Sequence, residues 1–104
     1  MKRLVILGGG ESGVGAAMLG KQKGYEVFVS DKASIAKKYK KVLLHHKIQF
    51  EEQQHTASKI LNADIVVKSP GIPDKVAIVA QLIKNKILVI SEIEFASQYT
   101  EATI

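Results

Sequence analysis

A short aliphatic run, Leu4-Val5-Ile6-Leu7, passes straight into Gly8-Gly9-Gly10-Glu11-Ser12-Gly13. Glycines at 8, 10 and 13 have the spacing of a loop that joins a buried strand to a helix and seats a diphosphate between them. Gly8 serves the tight turn out of the strand, Gly10 admits backbone N–H groups to phosphate oxygens, and Gly13 lets the helix lie close on the sheet. A phosphate in that position meets unpaired N–H groups and the positive end of a helix dipole, worth roughly 0.3–2 kcal/mol. The flanking sequence supplies the required context. Val14 to Lys23 is helix-compatible, with Lys21 and Lys23 towards its C-terminal end and Gly24 as its cap. A second strand, Glu26 to Ser30, then runs into Asp31, near the place where this fingerprint sets an acidic residue against a sugar or base.

A chain of 104 residues suits one domain, long enough for a real core and short for an enzyme that must hold several substrates. With no cysteine, disulfides, a thiolate nucleophile and a cysteine-bound metal are excluded, and any redox chemistry needs a cofactor. The apolar run after Met1-Lys2-Arg3 is too short for a signal-peptide core or a membrane span, so a soluble, cytoplasmic protein with no membrane partner is expected. The net charge of +5 owes much to Lys37, Lys38, Lys40 and Lys41. Only Tyr39 interrupts that run and no aromatic platform accompanies it, so it reads as a solvated helix face and no nucleic-acid partner is expected.

Apolar and turn-forming segments alternate along the whole chain without a repeat or a low-complexity linker. The pattern predicts strands at Arg3–Leu7, Glu26–Ser30, Ile48–Glu51, Ile65–Lys68 and Ile87–Ile90. Helices are predicted at about Ser12–Lys23, Ile35–His46, Thr56–Asn62, Lys75–Lys84 and Glu92–Tyr99. Right-handed crossovers then give a Rossmann-like, doubly wound α/β domain with a five-stranded parallel sheet ordered 3-2-1-4-5. Ligands of such sheets bind where the winding reverses, between strands one and four. The loop after strand four, Ser69-Pro70-Gly71-Ile72-Pro73, falls at that point: its prolines stiffen the turn and Gly71 leaves bare backbone facing the first glycine loop. Three features thus converge on one edge: Gly8–Gly13, Asp31 and Ser69–Pro73.

Four stretches together carry a family resemblance: Ile6-Leu7-Gly8-Gly9-Gly10-Glu11-Ser12-Gly13, Val29-Ser30-Asp31, the run Ala63–Pro73, and Ile90-Ser91-Glu92-Ile93-Glu94-Phe95. They span nearly the whole chain, which resembles the N-terminal domain of the Mur ligases and, through Ser69-Pro70-Gly71-Ile72, looks more like the D-glutamate-adding branch than the L-alanine-adding one. The resemblance implies a cytoplasmic step of bacterial peptidoglycan synthesis, in which ATP activates the carboxylate of UDP-N-acetylmuramoyl-L-alanine as an acyl phosphate and the D-glutamate amine displaces phosphate. It further implies that this domain holds the UDP end. Gly8, Gly10, Glu11, Ser12 and Gly13 then line the diphosphate and uridine, Asp31 and Lys32 the uracil edge, and Ser69, Pro70 and Gly71 the opposing wall. Glu11 departs from relatives with an apolar residue there, and Lys32 from relatives with a small hydroxyl residue. Residues 1–92 are expected to form the binding domain, and 93–104 an exit segment towards central ATP-binding and C-terminal domains. ATP and Mg belong to the full-length enzyme. No Gly-x-x-Gly-Lys-Ser/Thr string occurs here, so no cofactor and no catalytic residue is expected in this stretch, which is read as inactive by itself.

Other constellations carry less. His45 and His46 are adjacent on a helix and His55 lies in a polar loop, so surface histidines are expected rather than a metal site or a nucleophile–base pair. Glu51 and Glu52 fall on opposite faces of a strand end, against a paired acid–base role. Glu92 and Glu94 suit an orienting contact with a following domain. The alternative function is an NAD(P)- or flavin-binding domain of an oxidoreductase or regulator, for which the glycine loop and Asp31 also serve but Ser69–Pro73 has no required role. A structural α/β interaction domain without nucleotide affinity is the third reading.

Overall fold

In the computed structural model, residues 2–73 and 75–99 are described. Five strands alternate with five helices: β1 Arg3–Leu7, α1 Glu11–Gln22, β2 Glu26–Asp31, α2 Lys37–His45, β3 Gln49–Glu52, α3 Ala57–Ile60, β4 Ile65–Lys68, α4 Ala77–Lys84, β5 Leu88–Ser91 and α5 Glu92–Ser97. The strands form one parallel sheet in the order β3-β2-β1-β4-β5. Architecture and strand order agree with the sequence reading. The differences are at the ends: β3 and β5 begin one residue later than expected, and α3 is a four-residue turn of helix.

Strict alternation along the central strands builds a core on each face. Leu4 and Ile6 of β1, Val27 and Val29 of β2 and Val67 of β4 pack with Val14, Ala17, Leu43 and Phe95, under α1, α2 and α5. Val5, Leu7, Phe28 and Val66 pack on the opposite face with Ile60, Ile78, Val79 and Leu82, under α3 and α4. Because β1 is buried on both faces, it reads as a continuous apolar run rather than an alternating one. Each such side chain stabilises the fold by about 1.5–3 kcal/mol.

Helix α1 approaches the sheet closely because its inner face is small. A Cβ on Gly20 would come within 2.4 Å of the Leu4 side chain, and one on Gly13 within 1.9 Å of the Gly8 carbonyl oxygen. The helix ends as its sequence predicts: Gly24 takes φ +90°, the Tyr25 N–H reaches back to the Gly20 carbonyl and the Gly24 N–H to that of Lys21. Helix α5 folds back on α1. Phe95 is fully buried and contacts Tyr25 and Tyr99 edge-on, and the two tyrosine hydroxyls lie 2.7 Å apart. Ser91 and Glu94 form a capping box at the start of α5, while one Glu92 carboxylate oxygen is buried without a hydrogen-bond partner. Of the segment 93–104, residues 100–104 lie outside the described residues.

Candidate functional site at the carboxyl rim of the sheet

Parallel strands bring all their carboxyl ends to one rim, and the two loops singled out in the sequence meet there. Gly8 adopts φ +113°, and its N–H donates to the Ser30 carbonyl at 2.9 Å. A Cβ on Gly8 would stand 2.9 Å from the Ser69 Cβ, so the first glycine loop and the loop after β4 are in direct contact. The Ser69 N–H donates to the Leu7 carbonyl, and the Lys68 ammonium to the Ile72 carbonyl. Both loops are therefore tied to the sheet from below.

The four loop glycines have different roles. Gly8 is needed for its backbone conformation, and Gly13 for its contact with the Gly8 carbonyl. At Gly9 a Cβ would lie 2.8 Å from Ile35, which is buried over the loop. Gly10 differs: a Cβ there meets nothing within 4 Å, and its φ of −84° is open to any residue. Gly10 is also the N-cap of α1, and no side chain caps that helix. The first-turn N–H groups, which have no acceptor within a helix, thus open onto an exposed edge formed by Gly10, Glu11 and Ser12.

Asp31 reaches the glycine loop, but its carboxylate is already engaged. One oxygen accepts the Gly9 N–H at 2.7 Å and the other the Ala33 N–H at 2.8 Å. Lys32 and Gly71 are exposed at the rim. Pro70 is exposed too and lines a groove along β5 with Ile83, Leu88 and Ser91.

The sequence reading missed a polar network behind Asp31 and mistook His55 for a surface histidine. Ser30 and Glu51 are buried, and they are direct partners in the β2–β3 register. The Ser30 hydroxyl donates to the Glu51 carboxylate at 2.8 Å and lies 2.7 Å from His55 Nδ1. Glu51 also accepts the Thr56 N–H and hydroxyl. Burial pushes the Glu51 pKa up, but the hydrogen bonds from Thr56 and Ser30 and the charge of Lys59 outweigh it and hold the group below its ordinary value. His55 is half-buried, and that burial, aided by Lys32, outweighs Glu51 and Asp31 and lowers its pKa. The sequence showed only polar residues near two strand ends and a loop histidine; the register that sets Ser30 opposite Glu51 is fixed by strand pairing. Glu52 points the other way, as alternation requires, to the Ile35 N–H and the Lys40 ammonium. The Lys40 hydrogen bond is the main reason its pKa falls. His45 and His46 are exposed, with their rings in edge contact.

A doubly wound parallel sheet whose glycine loop opens onto an uncapped helix at the switch point defines a Rossmann-like domain. Among sequence families, residues 3–78 match the one described as the MurD N-terminal domain, and the chain belongs to that family. It is 55% identical over 103 residues to a UDP-N-acetylmuramoylalanine--D-glutamate ligase of Christiangramia forsetii, covering 99% of this chain and 23% of that protein. It is 57% identical over 102 residues to the ligase of the same name from Bacteroides thetaiotaomicron, covering 98% and 23%. The chain thus spans less than a quarter of the length of these relatives. Among solved structures, a murein peptide ligase from Psychrobacter arcticus superposes with a TM-score of 0.85 at 21% identity, over 94% of this chain and 20% of that one. A pseudomurein peptide ligase type C from Methanothermus fervidus superposes with a TM-score of 0.79 at 27% identity, over 98% and 21%. The dinucleotide-oxidoreductase alternative is not favoured by these matches.

Proposed function

We propose that this chain is the nucleotide-holding domain of an ADP-forming, D-glutamate-adding amide ligase, and that it binds the UDP end of UDP-N-acetylmuramoyl-L-alanine. The observation that carries the reading is Gly10. Packing and backbone geometry account for Gly8, Gly9 and Gly13, whereas nothing in the fold requires glycine at position 10, where the N–H groups of α1 open outward. A bare backbone there suits the close approach of a diphosphate. In this reading Gly10, Glu11, Ser12 and Gly13 surround the diphosphate, Asp31 and Lys32 lie at the uracil end, and Ser69, Pro70 and Gly71 form the facing wall. Asp31 also acts from behind, by fixing the Gly9 N–H.

Chemistry requires the rest of such a ligase. ATP and Mg would be held by a central domain, and the acyl phosphate would form there. Residues 1–92 serve as the binding domain and the segment from 93 leads towards the others, with the unpartnered Glu92 carboxylate oxygen available to orient that junction. The setting in this reading is the bacterial cytoplasm. Among the described residues no helix is long and apolar enough to cross a membrane.

An amide-resolved NMR titration with UDP, UDP-N-acetylmuramoyl-L-alanine and NAD in parallel tests the proposal. The uridine ligands should shift Gly8–Gly13, Asp31 and Ser69–Gly71, and NAD should not. Because the other domains complete the site, affinity in isolation should be no tighter than high micromolar, about 5–6 kcal/mol. Gly10→Val should abolish binding, and retention of it would remove the diphosphate assignment. A preference for NAD would revive the dinucleotide reading.

A further inference from the structure

The sheet order leaves two edges, β3 and β5, and they are defended differently. Three of the four residues of β3, Gln49, Glu51 and Glu52, are polar or charged, which discourages a further strand from adding there. The β5 edge reads Leu88-Val89-Ile90-Ser91 and holds no charge. Residues 87–91 line one groove from end to end. Ile83 of α4 and Leu88 are both exposed beside it. They flank the edge from opposite faces, because α4 packs on the face of Val66 whereas Leu88 alternates to the face of Ile90.

The backbone of that edge is open at its centre. The Ile87 N–H donates to the Leu82 carbonyl and the Ser91 N–H to the Glu94 carboxylate, both away from β4. Backbone groups alternate along a strand, so Val89, midway between them, also turns its N–H and C=O away from β4, to the side where the described residues place no strand. The two ends of β5 carry opposite charge. Lys84 and Lys86 precede the strand, Glu92 and Glu94 follow it, and Lys86 and Glu94 both line the groove. A strand of this same sequence laid antiparallel sets basic end against acidic end, whereas a parallel one sets like against like.

We propose that β5 is a self-association edge, at which a second copy of this chain pairs antiparallel about a two-fold axis through Val89 and joins the two sheets into one. In that register the two Val89 residues exchange both N–H···O bonds, Leu88 lies opposite Ile90, and Lys86 lies opposite Glu92 with Glu94 beside it. The occupant is a second copy because one strand supplies both halves of the match, and an isologous contact of this kind closes at two. The contact is small, one hydrogen-bonded residue pair with apolar and charged flanks, so the dimer is weak, with a Kd on the order of 100 μM. The glycine loop follows β1, two strands away from this edge, so association and nucleotide binding are separate properties.

Sedimentation equilibrium and amide NMR on this chain, from about 20 μM to about 1 mM, test the pairing. The mass should climb from one chain to two and stop there. Concentration-dependent shifts should map to Ile83 and residues 87–91 and leave residues 8–13 unmoved, and the Val89 amide should exchange more slowly as the dimer fills. Lys86→Glu sets like charges together and should weaken association about fivefold, and raising salt from about 50 to about 500 mM should weaken the unaltered dimer. Val89→Pro removes the outward N–H at an edge position, where proline is tolerated, and should abolish association. If that variant does not fold, Lys86→Glu, at an exposed position, decides. A single-chain mass at about 1 mM, growth beyond two copies, or shifts confined to other surfaces would overturn the assignment. Association that Lys86→Glu leaves unchanged would do the same.

Discussion

Both rims of the sheet carry hydrogen-bonded polar groups, but they differ in what those groups do. At the amino rim, Arg3 is consumed by the fold: Nη1 meets Glu26 at 2.6 Å, Nε donates to Asn62, Nη2 to the Lys59 carbonyl, and the guanidinium lies 5.3 Å from the Phe28 ring centroid. Its backbone N–H donates to Asp64. At the carboxyl rim, Asp31, Ser30 and Glu51 are likewise engaged, but the layer beside them is open: a Cβ on Gly10 would meet nothing within 4 Å, and no side chain caps the start of α1. Charge alone therefore does not distinguish the two rims; the open backbone at the start of α1 does.

The contrast can be broken most severely at Gly13. Gly13→Ala drives a Cβ into the Gly8 carbonyl, backbone that cannot swing aside, and should cost more than about 3 kcal/mol in urea unfolding, or prevent folding. Arg3→Met should cost about 1–3 kcal/mol, discounted because Glu26 is exposed, and should leave the UDP-induced shifts at the opposite rim unchanged. If those shifts moved, the two rims would not be independent.

Glu51 gives the comparison a pH signature. Its carboxyl is held below the ordinary 4.5, so its contribution is fully present above pH 4.5 and is lost as pH falls through the lower folded value. Glu51→Gln should flatten that acid limb of stability against pH, whereas Arg3→Met should leave it in place. Asp31→Asn weakens the bond to the Gly9 N–H and should cost about 1 kcal/mol of stability while weakening UDP binding by a larger factor. Gly10→Ala sharpens the contrast at the small end: with no steric conflict it should change stability by less than about 0.5 kcal/mol, with its effect confined to ligand affinity.

Much of the frame was legible in the residues. The apolar run of β1, the glycine spacing and the alternation of short β-branched segments with helical ones dictate a doubly wound parallel sheet, and the sheet order follows from crossover handedness. Asp31 and the Ser69–Pro73 loop were visible as rim residues because they stand at the carboxyl ends of β2 and β4. The part played by Asp31 was not visible. That its carboxylate grips Gly9 depends on a separation of 22 residues and on Ile35 lying over the loop. His55 looked like a loop histidine because nothing local distinguishes a solvated ring from one bonded across strands.

The sequence by itself determined the sheet, the position of the glycine loop on it and the family to which the chain belongs, because these rest on local periodicity and on spacings within a few residues. Tertiary structure alone decided which glycines the fold needs, that Ser30, Glu51 and His55 form one network, and that Arg3 is a clamp. The network and the clamp turn on contacts between residues 21 to 61 positions apart, settled only once the strands lie in register, and the glycine assignments on how closely the two rim loops and α1 pack.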